Sequence, residues 1–328
     1  MKESEIKIFS DIQESENSDN DFIQVSAVPF SIHHKIGISK EGFLLFFIKC
    51  DRDLKSININ LEFISVLFSQ KCSIKEENEK LKDLLSIVIL KTQNQDLQKY
   101  FTDFFSIILQ NIDPIPTEIT LYKEVQKVID LFSYISKPPI KSLQGLWSEL
   151  FVIEKSSDPE YLIKSWHIST SDKYDFNDSK DKLEVKSTQK YRRVHRFSID
   201  QLNNNPGSDL LIVSLFVLET GSGISILDLR DNILLRVGDL NLKIKLNELI
   251  YKTIGDNYEK LGDIYFDYQK ASDSLSYYNI LNIPYIDVKT IPPEISNIIF
   301  DCDLTSVPTI KETKYDISDS LLFKSLGI

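Results

Sequence analysis

The sequence is short of most of the patterns that announce a common function. Cysteine occurs three times, at Cys50, Cys72 and Cys302, and never as C-x-x-C. An odd set of widely spaced thiols makes neither a disulfide framework nor a cysteine zinc site. The expected state is three buried thiols in a reducing cytoplasm. No apolar run approaches the roughly 18 residues that a membrane helix needs. The longest, Gly42–Ile48 and Leu210–Leu218, are strand-sized. The N-terminus has no basic region followed by an apolar one, so neither a secretory signal nor a membrane partner is expected. Positive charge is scarce: 38 Lys and Arg face 49 Asp and Glu, a net of −11. That excludes a histone-like coat of positive charge but not a local basic cleft. Absent too are G-x-x-x-x-G-K-[ST], G-x-S-x-G and H-E-x-x-H, which sets aside an ATP motor, the common serine hydrolases and the zincins. No internal repeat or low-complexity tract is present.

What remains is a globular composition, 42% hydrophobic and 27% charged over 328 residues, enough for one large domain or two modest ones. Residues 1–21 carry seven acids against Lys2 and Lys7 and read as a solvated, mobile N-terminus. A strand-rich block follows over Phe22–Ile38, Gly42–Cys50 and Ser56–Phe63. Leu81, Leu84, Leu85 and Val88 then fall at helical spacing, as do Leu97, Phe101, Phe104, Phe105 and Ile108, and a third periodic stretch covers Thr117–Ile135. Pro138-Pro139 places a boundary near 137. The chain thus divides into an N-terminal strand-and-helix region, 22–136, and a second region, 137–328. The first carries no active-site motif; it could recognise DNA, pack against a twin subunit or bind a partner protein.

The second region reads as a helix at Ser142–Lys155, strands at Ile163–Thr170 and Lys182–Thr188, and a short helix capped by Ser198. After these come a central strand at Leu210–Leu218, a partner strand at Gly223–Leu229 and a helix at Leu240–Ile254. Tyrosine-rich strands at Ser276–Leu281, Tyr285–Val288 and Ile295–Cys302 close the chain.

The chemistry concentrates in Tyr174-Asp175-Phe176 and Leu183-Glu184-Val185-Lys186. Glu184 and Lys186 are two apart on a strand, so they leave one face while Val185 leaves the other. Asp175, across a hairpin turn, can bring its carboxylate to that of Glu184. Two converging carboxylates suit a hard divalent cation, Mg²⁺ above all and Mn²⁺ as its substitute. Such an ion neutralises charge and activates water for phosphodiester hydrolysis, and a neighbouring ammonium positions that water. An isolated acid followed by E-x-K arises often by chance, and by itself is more often an exposed strand edge with weak surface ion pairs. Two features add weight. Glu149, on the preceding helix, is a further acid that could face the site. Between Lys180 and Arg196, seven bases stand against Asp181 and Glu184, a net of +5 in an acidic chain and the footprint expected of a polyanion.

The series Gly145-Leu146-Trp147-x-Glu149, Trp166-His167, Asp175-Phe176, Glu184-Val185-Lys186, Arg193-x-His195-x-Phe197-Ser198 and Gln201-Leu202 resembles an uncharacterised bacterial family of PD-(D/E)XK motif proteins, within the restriction-endonuclease-like nucleases. The likeness is densest over 143–230. It implies an α/β (α+β) core with a central mixed β-sheet flanked by helices, and a Mg²⁺-dependent DNA endonuclease in a restriction or anti-phage defence setting. By the same resemblance Asp175 and Glu184 are metal ligands, Lys186 is the catalytic lysine, and Glu149 is an auxiliary acidic ligand. The backbone carbonyl of Val185 is a further ligand, and Gln201 contacts substrate. Tyr174 departs from the motif, standing where its name has proline. Lys190, Arg192, Arg193, His195 and Arg196 are the candidate DNA contacts.

Several residues have a plain alternative. His195 is as readily a surface histidine without duty. Trp147 reads as a core anchor between helix and sheet before a base-stacking platform, and His33-His34 point apart on a strand. Double-strand cleavage suggests a homodimer, although a monomeric nickase fits equally well, and partner proteins of a defence operon are possible partners. The rival to the enzyme is a nuclease-like module that binds DNA or a partner without cutting; a third reading is cleavage of RNA.

Overall fold

Ile, Leu and Phe are the commonest apolar residues from Ile23 to Leu90, and in the computed structural model the described part of this stretch is mostly β. The structure describes residues 23–51, 57–76, 79–135, 141–167, 172–203, 207–255, 261–317 and 319–328. The acidic N-terminus and the Pro138-Pro139 boundary lie outside them. The chain forms two compact units, 1–136 and 137–328.

In the first unit, strands β1 (Ile23–Val28), β2 (Ser31–Ile38), β3 (Leu44–Ile48), β4 (Ile59–Asn60), β5 (Ile64–Glu76) and β6 (Glu79–Leu90) pair in the order β1-β2-β3-β6-β5-β4. A parallel pairing of β1 with the end of β5, Ile23 opposite Ile74, closes five of them into a ring. Closure leaves these strands without an open edge and gives them an inside. Val25, Leu45, Phe47, Cys72, Ile74 and Leu85 fill one such cluster. The alternate face carries Phe46, whose ring meets Phe101 at 5.9 Å and Phe105 at 5.0 Å. Those rings belong to helix α1 (Gln95–Gln110), which packs on α2 (Glu118–Ile135) through Phe101 and Phe132.

The helical spacing of Leu81, Leu84, Leu85 and Val88 is misleading. These residues lie in β6, where burial alternates along Ser86, Val88 and Leu90. A bulge between Leu67 and Gln70 of β5, with Ser69 at φ +49°, shifts the register of the hairpin and breaks the two-residue period.

His34 of β2 is 1% exposed, and its Nε2 has no hydrogen-bond partner. Burial, with His33 beside it, holds its pKa down to about 4. The unfolded chain takes up this proton near 6.5 and the folded chain does not. Stability from this residue is therefore complete above about pH 6.5 and is lost as the pH falls towards 4. Over that window urea unfolding should show a loss of about 1–2 kcal/mol that His34→Gln removes. An identical pH profile in the variant would sink this assignment.

The second unit is built on a mixed sheet ordered β13-β10-β8-β7, comprising β7 (Phe176–Asn177), β8 (Lys182–Thr188), β10 (Leu210–Phe216) and β13 (Ser276–Asn279). β8 and β10 run parallel at its centre, with Glu184 opposite Ile212 and Lys186 opposite Ser214. The unbroken apolar run of β10 follows from this position, since the strand is buried on both faces. Helix α3 (Leu143–Lys155) is buried continuously from Leu146 to Ile153. Trp147 anchors it, donating its indole N–H to the Ile224 carbonyl at 2.9 Å.

On the other face of the sheet lies a layer made by β9 (Val194–Ser198), paired antiparallel with β14 (Ile299–Asp303), and the short helix α5 (Ile199–Leu202). Its core joins Tyr174, Phe197, Leu202, Leu210, Ile212, Tyr278 and Leu304. No described helix is long and apolar enough to cross a membrane.

Three strand expectations fail for local reasons. Ile163 lies in helix α4 (Pro159–Ser165), begun by the Asp158 cap and by proline in its first turn, and 168–171 lie outside the described residues. Gly223–Leu229 leads into helix α6 (Ile226–Arg236) through a capping box of Ser225 and Asp228. Tyr285–Val288 pairs with nothing among the described strands; Pro284, Pro292 and Pro293 flank it, and Val288–Thr290 is a 3₁₀ turn. Strands β11 (Glu219–Thr220) and β12 (Tyr265–Phe266) pair antiparallel just ahead of Gly223, where close approach requires glycine: a Cβ there would collide with the Phe266 carbonyl oxygen.

Candidate active site

A tight turn brings the acids together. Between β7 and β8 the Asp178 carboxylate accepts from the backbone N–H groups of Lys180 (3.0 Å) and Asp181 (2.7 Å), and Ser179 takes φ +78°. Asp175, just before β7, is thereby laid against β8, where its Oδ2 accepts from the Val185 N–H at 2.8 Å. Its Oδ1 accepts from Lys141 Nζ at 2.5 Å, and the same ammonium lies 2.6 Å from Glu149 Oε1. Glu149 Oε2 in turn accepts from the Trp166 indole at 2.8 Å. Two carboxylate oxygens from separate elements thus converge on a single cationic group.

Glu184 and Lys186 do share a face of β8. Their side chains form an ion pair at 2.6 Å, and Lys186 lies over the Phe197 ring at 5.1 Å. Gln201 completes the arrangement. Its Nε2 donates to Glu184 Oε1 at 2.8 Å and to the Lys173 carbonyl, and its Oε1 accepts from the Ser198 N–H at 3.1 Å. Gln201 is therefore both a helix-capping residue and the clamp on Glu184. The Asp175 carboxylate points to Lys141 and Val185, not to Glu184 as the hairpin alone suggests; the two acids are coupled through charge. Burial, then the Asp175 charge, pushes Glu149 and Glu184 well above the usual carboxylate range. Lys141, between two acids, is held above the ordinary lysine range by their charges, which outweigh its own burial.

The basic segment is less open than its composition suggests. Arg193 turns inward, where its guanidinium donates to the Ser214 carbonyl and hydroxyl, each at 2.8 Å, to the Ser274 carbonyl and to Ser276 Oγ, and lies over Phe216. His195 is buried against Ser214 Oγ at 2.7 Å, and its pKa is lowered to about 4 by desolvation and by Lys186 and Arg193 nearby. Both side chains are engaged with inner partners, Arg193 from just ahead of β9 and His195 from the buried face of that strand. Arg192 and Arg196 are exposed and paired with Asp303 and Asp301. Lys190 is exposed.

Sequence reasoning missed Lys141. One signal was available: Lys141 directly precedes Ser142, the N-cap of α3. The positive end of a helix disfavours a cation there unless acids surround it. Trp166 as a partner of Glu149 left no such signal.

Among the described residues no three His, Cys, Asp or Glu side chains surround one metal position, since Glu184 is turned to Lys186 and Gln201 while Lys141 holds the other two acids. The donor set itself fits a hard cation: carboxylate oxygens of Asp175 and Glu149 already share one positive charge, and Glu184 is close enough to feel it.

A mixed sheet flanked by a helix that carries a buried glutamate, with an aspartate at the sheet edge and E-x-K on a central strand, defines a nuclease-like protein of the restriction-endonuclease fold. One family's sequence model, described as "Putative PD-(D/E)XK family member, (DUF4420)", matches residues 6–305, and the chain belongs to that family. No curated protein and no solved structure matches it.

Proposed function

We propose that the protein is a Mg²⁺-dependent endonuclease that hydrolyses DNA phosphodiester bonds, with Asp175, Glu184, Glu149 and the Val185 carbonyl as metal ligands. The observation that carries this reading is the convergence of the Asp175 and Glu149 carboxylates on one cation beside the Glu184–Lys186 pair. A bound Mg²⁺ would lower the pKa of a water and offset charge on the scissile phosphate. The chain's own groups do the rest. Lys186, on the same strand face as Glu184, orients the attacking water and offsets charge on the phosphate oxygens. Gln201 keeps the Glu184 carboxylate in place. Lys190, with Arg192 and Arg196 exchanging their aspartates for phosphates, follows the DNA backbone.

The setting proposed is bacterial restriction or anti-phage defence, with a homodimer supplying two sites for double-strand cleavage. The test is cleavage of unmodified and modified bacterial and phage DNA with Mg²⁺, Mn²⁺ or EDTA, comparing the wild type with Lys186→Ala. Cutting that needs metal and disappears in the variant is expected. No cutting of any substrate, with DNA binding unchanged by the substitution, would replace the enzyme by a binding module.

A further inference from the structure

Resting on that reading, we propose that Lys141 is a built-in competitor of the metal, an ammonium that must leave the acid pair before a divalent cation can enter. Its Nζ lies 2.6 Å from Glu149 Oε1 and 2.5 Å from Asp175 Oδ1. A second cation cannot share those oxygens at that range without strong repulsion. Lys141 is suited to moving. Its side chain keeps a quarter of its surface exposed, whereas those of Glu149 and Asp175 keep 4% and 12%. It lies ahead of the α3 cap rather than on a core element, and a lysine stem has four rotatable bonds that carry its charge to solvent.

Among the described residues, the other side-chain contacts of the two acids come from rigid groups, the Trp166 indole and the Val185 backbone N–H. The acids therefore stay preorganised when the ammonium withdraws. A phosphodiester arriving at the site offers Lys141 another anion, so substrate and metal binding assist each other while metal alone binds weakly. Stray hydrolysis is thereby restrained.

The experiment is Mn²⁺ binding by calorimetry to the intact protein without DNA, for the wild type, Lys141→Met and Lys141→Gln. Both variants are expected to bind Mn²⁺ about tenfold or more tightly than the wild type, because a repelling charge has gone. In the wild type, labelling of Lys141 by an amine-reactive acylating reagent, read by peptide mass spectrometry, should rise several-fold on adding Mn²⁺. This second readout needs no variant to fold. Equal or weaker Mn²⁺ binding by folded variants, or Lys141 labelling indifferent to Mn²⁺ that binds, overturns the competitor role and leaves the nuclease reading standing. Absence of any Mn²⁺ binding in all three folded proteins overturns both. The two failures are distinguishable.

Discussion

Asp175→Asn is expected to lower metal-dependent cleavage by about a thousandfold or more, the scale seen when one preorganised electrostatic group is removed from a transition state. The substitution preserves shape. An amide oxygen at this position can still accept from the Val185 N–H, which Asp175 engages at 2.8 Å. What disappears is a negative charge that draws in a divalent cation and raises the proton affinity of both Glu149 and Glu184. Relieving that repulsion offsets the weakened contact to Lys141, so the thermal midpoint should hold or rise while activity collapses. Such a split between stability and turnover separates a functional acid from a structural one. Cleavage kinetics and a thermal melt on the same preparation decide it. Full metal-dependent cutting by Asp175→Asn would remove this residue from the ligand set.

Trp147→Ala carries the largest expected cost to the fold, about 3–5 kcal/mol. Trp147 is fully buried, stacks on Phe151 at 5.1 Å, meets Phe266 at 5.2 Å and donates to the Ile224 carbonyl. Truncation leaves a large cavity between α3 and the chain around Ile224. It also removes one of two donors on that carbonyl, which keeps the Phe266 N–H at 3.1 Å. Trp147→Phe retains most of the buried area and should lose roughly half as much. Urea unfolding followed by circular dichroism gives both numbers. A base-stacking tryptophan would behave otherwise: its alanine variant would fold as stably as the wild type and bind DNA less well.

The site was readable in sequence where the geometry is local. A strand period of two puts Glu184 and Lys186 on one face wherever β8 lies, and their ion pair follows. The Ser198 cap was legible for the same reason, because capping joins residues three apart. Leu210–Phe216 declared its burial by composition, since only a strand covered on both faces tolerates such a run. Helices α4 and α6 were missed although Asp158-Pro159 and Ser225-x-x-Asp228 are local signals, because short apolar runs hide a helix behind a strand-like composition.

Tertiary structure decided what depends on distant chain segments. The ring closure of β1 on β5 joins residues about fifty apart in sequence and leaves no periodic trace. The fate of the basic segment is of that kind as well. Its charge count is a property of composition, yet pairing of β9 with β14 turns Arg193 and His195 inward and gives Arg192 and Arg196 acidic partners from β14. The partners of the acids follow the same rule: Lys141 reaches Asp175 across 34 positions and Trp166 reaches Glu149 across 17. The sequence by itself determined which residue types make up the candidate site, since motif spacing encodes contacts made along one strand or one helix turn. Which charges those residues meet was settled only by folding, because a carboxylate takes its partner from whatever the packed chain brings within about 3 Å.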